Sequence, residues 1–187
     1  MENERKSPLR AGEAKIRRIA LDAVLVALFV LFSAVLTFKT PLFEVSWASL
    51  PILVAAFLFG LPDAVAVALL GSFLEQALSS YGLGVTTPLW MAPVILQALV
   101  AGVLAYLVRR SDNRFLLLIP VAVSELILTA ANVAALYLDG MIWEYALPAL
   151  HVMLPGRLVN ALVRMLLSCI LLPPLVIALR RIFRQRK

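Results

Sequence analysis

Hydrophobic positions in this chain come in long unbroken runs, and most polar residues collect between them. A helix rises about 1.5 Å per residue, so roughly 20 apolar residues cross the ~30 Å hydrocarbon layer of a bilayer. The run from Ile19 to Phe38 has that length. The run from Leu50 to Leu78 is too long for one upright span, and Gly60-Leu-Pro-Asp63 interrupts it, so two short helices are expected, at 49–60 and 62–80. Further spans are expected at 88–108, 115–138 and 155–183, with Pro173-Pro174 bending the last. The pattern predicts an all-α integral membrane protein with six transmembrane helices. No linker or internal repeat divides it, so one helical domain over 19–183 stands between a basic tail at 1–18 and another at 184–187. The second and third helices, shortened by their turn, are expected to pack as a pair that leaves a cavity open to one side.

Composition narrows the class. Of 187 residues, 63% are hydrophobic and 15% charged, against roughly 45–50% and about 25% in ordinary soluble domains, which argues against a soluble enzyme. The net charge of +6 reads as a topology signal and not as a nucleic-acid surface, because the basic residues cluster. Arg5, Lys6, Arg10, Lys15, Arg17 and Arg18 precede the first span, Arg109, Arg110 and Arg114 follow the fourth, and Arg180, Arg181, Arg184, Arg186 and Lys187 end the chain. The intervening loops at 39–48, 80–88 and 139–156 hold Lys39 as their one basic residue, so the N and C termini are both expected to be cytoplasmic, in a multi-pass protein of the cytoplasmic membrane. The first apolar run carries no Ala-x-Ala cleavage pattern and is expected to stay in the mature protein. The single cysteine, Cys169, permits no intramolecular disulfide and reads as a buried small residue.

Against this apolar background the polar side chains form stripes. Ser72, Glu75 and Ser79 share one face of the third helix. Glu125, Thr129 and Asn132 repeat the pattern on the fifth, with Ser124 beside them, and Arg157, Asn160, Arg164 and Ser168 do so on the sixth. Ionisable groups at such depth cost roughly 2.5–3.5 kcal/mol each on insertion scales and are usually paired or turned toward a cavity. Glu125 and Arg164 can be an interhelical ion pair, and Arg157 either snorkels to the interface or anchors an anion through its five-donor fork. Trp90 and Gln97 lie two helical turns apart and face the same side, beneath a loop from Ser79 to Thr87 that includes Tyr81 and whose two glycines allow it to hinge. Trp47, Trp143 and Tyr145 read as interfacial anchors, and His151 as a loop polar residue. Ala20, Ala23, Ala27 and Ala34 form a smooth strip on the first helix, suited either to another helix or to packing within the bundle; Asp22 beside it is expected to answer Arg17 or Arg18.

Phosphate-binding loops, zinc-protease and serine-hydrolase motifs and paired aspartates for metal-assisted phosphoryl transfer are all missing from the sequence. No catalytic residue, metal or cofactor is assigned. A small helical protein with a polar-lined cavity and no motor reads as a capture subunit for a small solute. The competing readings are a membrane-embedded lipid-modifying enzyme acting through Glu75, Glu125 and Arg164, and an assembly subunit whose polar stripes only hold helices together.

Several segments carry a resemblance: the basic tail running into Ala20-Leu-Asp-Ala-Val-Leu-Val-Ala27, Leu50-Pro-Ile, Phe59-Gly-Leu-Pro-Asp63, Ser124-Glu-Leu-Ile-Leu-Thr-Ala-Ala-Asn132 with Tyr137, and Leu154-Pro-Gly-Arg157-Leu-Val-Asn160. With these the chain resembles the substrate-binding S components of energy-coupling factor (ECF) vitamin transporters over nearly its whole length. Thr86-Thr-Pro-Leu-Trp90 makes it most similar to the folate and pantothenate group, although the Gly-Phe-Thr segment of folate-type members is absent. The resemblance implies a vitamin cargo, a transmembrane coupling subunit that meets Ala23-x-x-x-Ala27, with Ala20 on the same strip, and two cytoplasmic ATPases that drive transport. Glu75, Ser79, Tyr81, Thr87, Trp90, Gln97, Glu125, Asn132, Arg157, Asn160 and Arg164 are then the candidate substrate-binding residues, with an anionic or zwitterionic vitamin favoured by Arg157.

Overall fold

The computed structural model describes residues 8–39, 44–79, 82–108, 113–144 and 147–185. Within them lie six helices: α1 (Pro8–Ala34), α2 (Ser49–Leu58), α3 (Leu61–Leu78), α4 (Thr87–Leu107), α5 (Arg114–Ile142) and α6 (Leu147–Gln185). A two-residue antiparallel pair, β1 (Phe38–Lys39) and β2 (Glu44–Val45), links α1 to α2, with Phe38 opposite Val45 and Lys39 opposite Glu44. Four segments are long and apolar enough to cross a membrane: Leu61–Leu78, Thr87–Leu107, Phe115–Ile142 and Leu154–Ile182.

Two helices depart from the expected bounds for physical reasons. α1 begins at Pro8, well ahead of Ile19, because the stretch after Pro8 is rich in Ala, Arg and Lys, good helix formers that extend a helix beyond its apolar part. α6 begins at Leu147, so the expected loop at 139–156 shrinks to a short connection and His151 is helical. Pro155 does not open that helix. Pro148 occupies the first turn, where its missing N–H costs nothing, and Pro155 sits inside, as Pro93 does in α4 and Pro120 in α5.

α2 explains the architecture. Ser49 and every residue from Pro51 to Phe57 are buried, and α1, α3, α4 and α6 all pack against this helix. A helix that is apolar all round belongs in a core. Ile52 and Leu53 there meet Phe29 of α1, Val67 of α3, Ala98 and Ala101 of α4, Leu117 and Val121 of α5, and Leu172 and Val176 of α6 in one cluster. At about 15 Å for ten residues, α2 fills only one half of the bundle's length. Gly60, with φ of 110°, takes a backbone conformation that side chains disfavour and turns the chain directly into α3.

Glycines set two close helix contacts. A Cβ at Gly71 of α3 would lie 2.7 Å from the Phe29 ring, and one at Gly102 of α4 would lie 2.8 Å from the Leu61 Cα. At the end of the bundle where Gly60 turns, Arg18 clasps Asp63 with both arms of its fork, Nε donating at 2.7 Å. The fork of Arg18 is taken up by Asp63 on α3, which offers two oxygens in bidentate geometry, while Asp22, expected to answer Arg17 or Arg18, lies close enough for its charge to act on Arg18. Arg180 Nη2 donates to the Phe57 carbonyl at 3.3 Å and so satisfies one of the free carbonyls that end α2. This is the basic end; the β pair marks the other.

Candidate functional site

Where α2 begins, the polar stripes converge. Glu125 of α5, 1% exposed, accepts from Ser49 Oγ of α2 at 2.8 Å, from Arg164 Nε of α6 at 2.7 Å and from Ser168 Oγ of α6 at 3.0 Å. Arg164 Nη2 also donates to Thr129 Oγ1 at 3.1 Å. A buried carboxylate is tolerated when its charge is matched and its lone pairs are occupied, and this one meets both conditions. Of the two sequence readings for Glu125 and Arg164, the structure has the ion pair.

This network ties α2, α5 and α6 together. α4 and α6 each pack against α2 and α5, which closes a ring of four helices at and below the level of Ser49. Above Ser49, toward the β pair, α2 has ended and β2 reaches α6 instead. The contacts of Glu125 with Arg164 and of Tyr137 with His151 fix the antiparallel register of α5 and α6, the latter rings meeting edge to face with centroids 6.0 Å apart. In that register Asn132, two turns from Glu125, comes level with Arg157, two turns from Arg164. Arg157 in turn lies over the Trp90 ring of α4, 5.9 Å from its centroid, within the range of a cation–π contact. α4 and α6 run the same way, so Gln97 comes level with Arg164, about 10 Å below Trp90.

Two polar groups at this level and just above it lack partners. Gln97 is fully buried, and neither Oε1 nor Nε2 makes a hydrogen bond; Asn160 Oδ1, one turn above Arg164, is likewise buried and unpaired. Such groups are uncommon in folded proteins and costly to leave unmet. The cluster is closely packed: the space beside Ser49, Leu50, Arg164 and Ser168 has no room for a water molecule. Asn132, Asn160 and Gln97 thus sit at or above a self-neutralised Glu125–Arg164 pair, with Trp90 and Arg157 in contact about two turns nearer the β pair.

Other expected site residues lie apart from this polar cluster or serve the fold. Glu75 receives the Ser33 hydroxyl of α1, which sequence spacing within α3 gave no means of finding. Ser79 caps the end of α3 by donating to the Gln76 carbonyl at 2.8 Å, and Ser72 donates to the Ala68 carbonyl at 2.6 Å. Thr87 Oγ1 accepts from the Gly84 N–H at 2.8 Å and closes the turn that opens α4. Tyr81 falls outside the described residues. Ala20, Ala23 and Ala27 are exposed, while Leu25, Val26 and Phe29 form the buried face of α1, so the alanine strip is turned away from the bundle. Ser49 and His151 were missed as members of the site. The one signal for Ser49 was a serine opening a helix directly after the expected loop.

Two larger clefts, of about 390 and 550 Å³, lie against α4, one beside the Gly60 turn and one along α5. Both are lined almost wholly by apolar groups, whereas a solute site needs a few convergent polar ones. Among the described residues no group of three His, Cys, Asp or Glu is placed to hold a metal ion.

The four long apolar helices define a multi-pass helical membrane protein. The model of the ECF transporter substrate-specific component family matches residues 17–176, and the chain belongs to that family. It is a family of transporter components, not of enzymes. No curated protein matches the chain significantly.

Proposed function

We propose that this chain is the capture subunit of an ECF importer that takes up a water-soluble vitamin of the folate and pantothenate class. Membership of the substrate-specific component family is the observation that carries the role, and the polar cluster of α5 and α6 around Glu125, with Arg157 over Trp90, supports it. For capture, the helices part above Glu125 to form a chamber for the vitamin, with Trp90 and Arg157 at its mouth. In this reading the β-pair end faces outward, six helices embed the chain in the cytoplasmic membrane, and both basic termini lie inside. Asn132, Asn160 and Gln97 bind the polar groups of the vitamin, Trp90 covers an apolar part, and Arg157 attracts its carboxylate. Glu125 and Arg164 hold the floor, while Glu75, Ser79 and Thr87, bonded to Ser33, Gln76 and Gly84, hold the fold around it.

The exposed strip Ala20, Ala23 and Ala27 supports docking to a transmembrane coupling subunit, since small side chains let two helices approach closely. Two cytoplasmic ATPases complete the complex and supply its energy. The test is reconstitution of the chain with its coupling subunit and ATPases in vesicles. ATP-dependent uptake of labelled folate or pantothenate is expected, and a complete assembly that hydrolyses ATP without importing either contradicts the cargo assignment.

A further inference from the structure

α2 ends at Leu58 while α4 runs on beside the turn that follows, and this mismatch opens the cleft of about 390 Å³ at the basic end of the bundle. Phe57, Phe59 and Gly60 form one wall. Val103, Tyr106 and Leu107, spaced three and four residues apart on one exposed face of α4, form the other. Every side chain lining the cleft is apolar except for the hydroxyl of Tyr106, in the last turn of α4. Basic groups gather at the same end. Arg180 of α6 donates to the Phe57 carbonyl at 3.3 Å, so a guanidinium charge meets a residue of the cleft wall. Asp63, directly after Pro62 of the lining, has its own charge met by the fork of Arg18. In the sequence Arg109 and Arg110 follow α4 within three residues, and Arg114 opens α5.

We propose that this cleft binds one acyl chain of an anionic phospholipid, with the lipid phosphate drawn toward Arg180 and the basic end of the bundle. Size decides against a partner helix: a helix about 10 Å across takes up roughly 420 Å³ in each 5.4 Å turn, more than the whole cleft. An acyl chain is far thinner and lies along such a slot. Charge complementarity selects the headgroup, since basic clusters at the ends of membrane helices attract anionic lipids. Tyr106 fits the same arrangement, because tyrosine rings settle at headgroup level with the apolar body in hydrocarbon and the hydroxyl toward water.

The site is separate from the proposed capture of a vitamin. Trp90 and Arg157 stand toward the β pair, at the opposite end of the bundle, and the second cleft, lined by the first part of α4 and the last part of α5, lies at that end too. That second cleft is equally apolar and somewhat larger, so it serves as the internal control for a groove that lipid merely fills.

Native mass spectrometry of the full chain in a neutral detergent, titrated with dioleoyl phosphatidylglycerol and with dioleoyl phosphatidylcholine, tests the proposal. The two probes share their acyl chains and differ in headgroup charge. The wild type should bind phosphatidylglycerol about fivefold or more tightly than phosphatidylcholine, the contribution of one or more basic groups at an anionic surface. Val103→Trp, which fills the slot, should abolish that preference, and Leu107→Trp fills the same slot should the first variant misfold. Arg180→Gln keeps a donor for the Phe57 carbonyl without the charge and should lower the preference about fivefold. Ala134→Phe, which fills the second cleft, should leave it unchanged. Equal binding of the two lipids by the wild type overturns the proposal, as does a preference that survives Arg180→Gln or both tryptophan variants. A folded tryptophan variant that keeps the lipid preference but no longer co-purifies with the coupling subunit also overturns it, and assigns the cleft to that subunit.

Discussion

Arg164 of α6 donates to Glu125 of α5 at 2.7 Å, with side chains 13% and 1% exposed, and this pair joins the two helices below the proposed chamber. Removing one partner of a buried pair leaves an uncompensated charge and costs about 3–5 kcal/mol, while replacing both with apolar groups is often close to neutral. Glu125→Leu and Arg164→Met are each expected to lower stability by that amount in denaturation measured in detergent. The double variant should recover most of the loss. Additive losses in the double variant would show that the two side chains act separately.

Helix contact at the glycines predicts a ranking. Gly102→Ala meets the Leu61 backbone, which cannot give way without moving α3, whereas Gly71→Ala meets only side-chain atoms of Phe29. Overpacking costs typically about 1–3 kcal/mol, and Gly102→Ala should fall at the upper end with Gly71→Ala below it. Gly84→Ala, with open space around its Cβ, should be close to neutral. Thermal unfolding of the three variants checks the order.

Docking and capture should separate genetically. Ala23→Leu or Ala27→Leu adds bulk to an exposed face remote from the chamber, so vitamin binding should persist while co-purification with the coupling subunit is lost. Normal co-purification of both variants would remove the interface from this face of α1.

At the mouth, Arg157→Ala removes both the cation over Trp90 and the anchor for a carboxylate. Charge-assisted hydrogen bonds contribute about 1.5–3 kcal/mol, so vitamin affinity should fall roughly tenfold to a hundredfold with little change in stability. Unchanged affinity would assign Arg157 to the membrane interface alone.

How far these features can be read from the chain depends on the distance over which each is decided. Spacing of three and four residues is local, so the faces carrying Glu125 with Thr129 and Arg157 with Asn160 and Arg164 were legible, and so was the pairing of Glu125 with Arg164. Ser49 lies 76 residues from Glu125, and Ser33 lies 42 residues from Glu75; no periodicity links them. Proximity along one helix made the electrostatic pairing of Asp22 with Arg18 legible, while the bidentate bond of Arg18 to Asp63 on α3 was not. Pro155 misled for a different reason: a proline marks a helix start only when an earlier proline has not already opened the helix, and Pro148 has. That α2 would be short followed from the Gly60 break, yet the unmet amide of Gln97 emerged only once α2, α4, α5 and α6 were assembled.

The central claim, that this chain alone captures a vitamin, is tested most directly by the thermal stability of the purified protein in detergent against a panel of B vitamins. A ligand that binds only the folded state adds about 2.7 kcal/mol at 100 times its dissociation constant. One vitamin of the panel should raise the melting temperature in a concentration-dependent way, and the shift should shrink in Arg157→Ala. A well-folded protein whose melting temperature is unmoved by every vitamin would contradict the account.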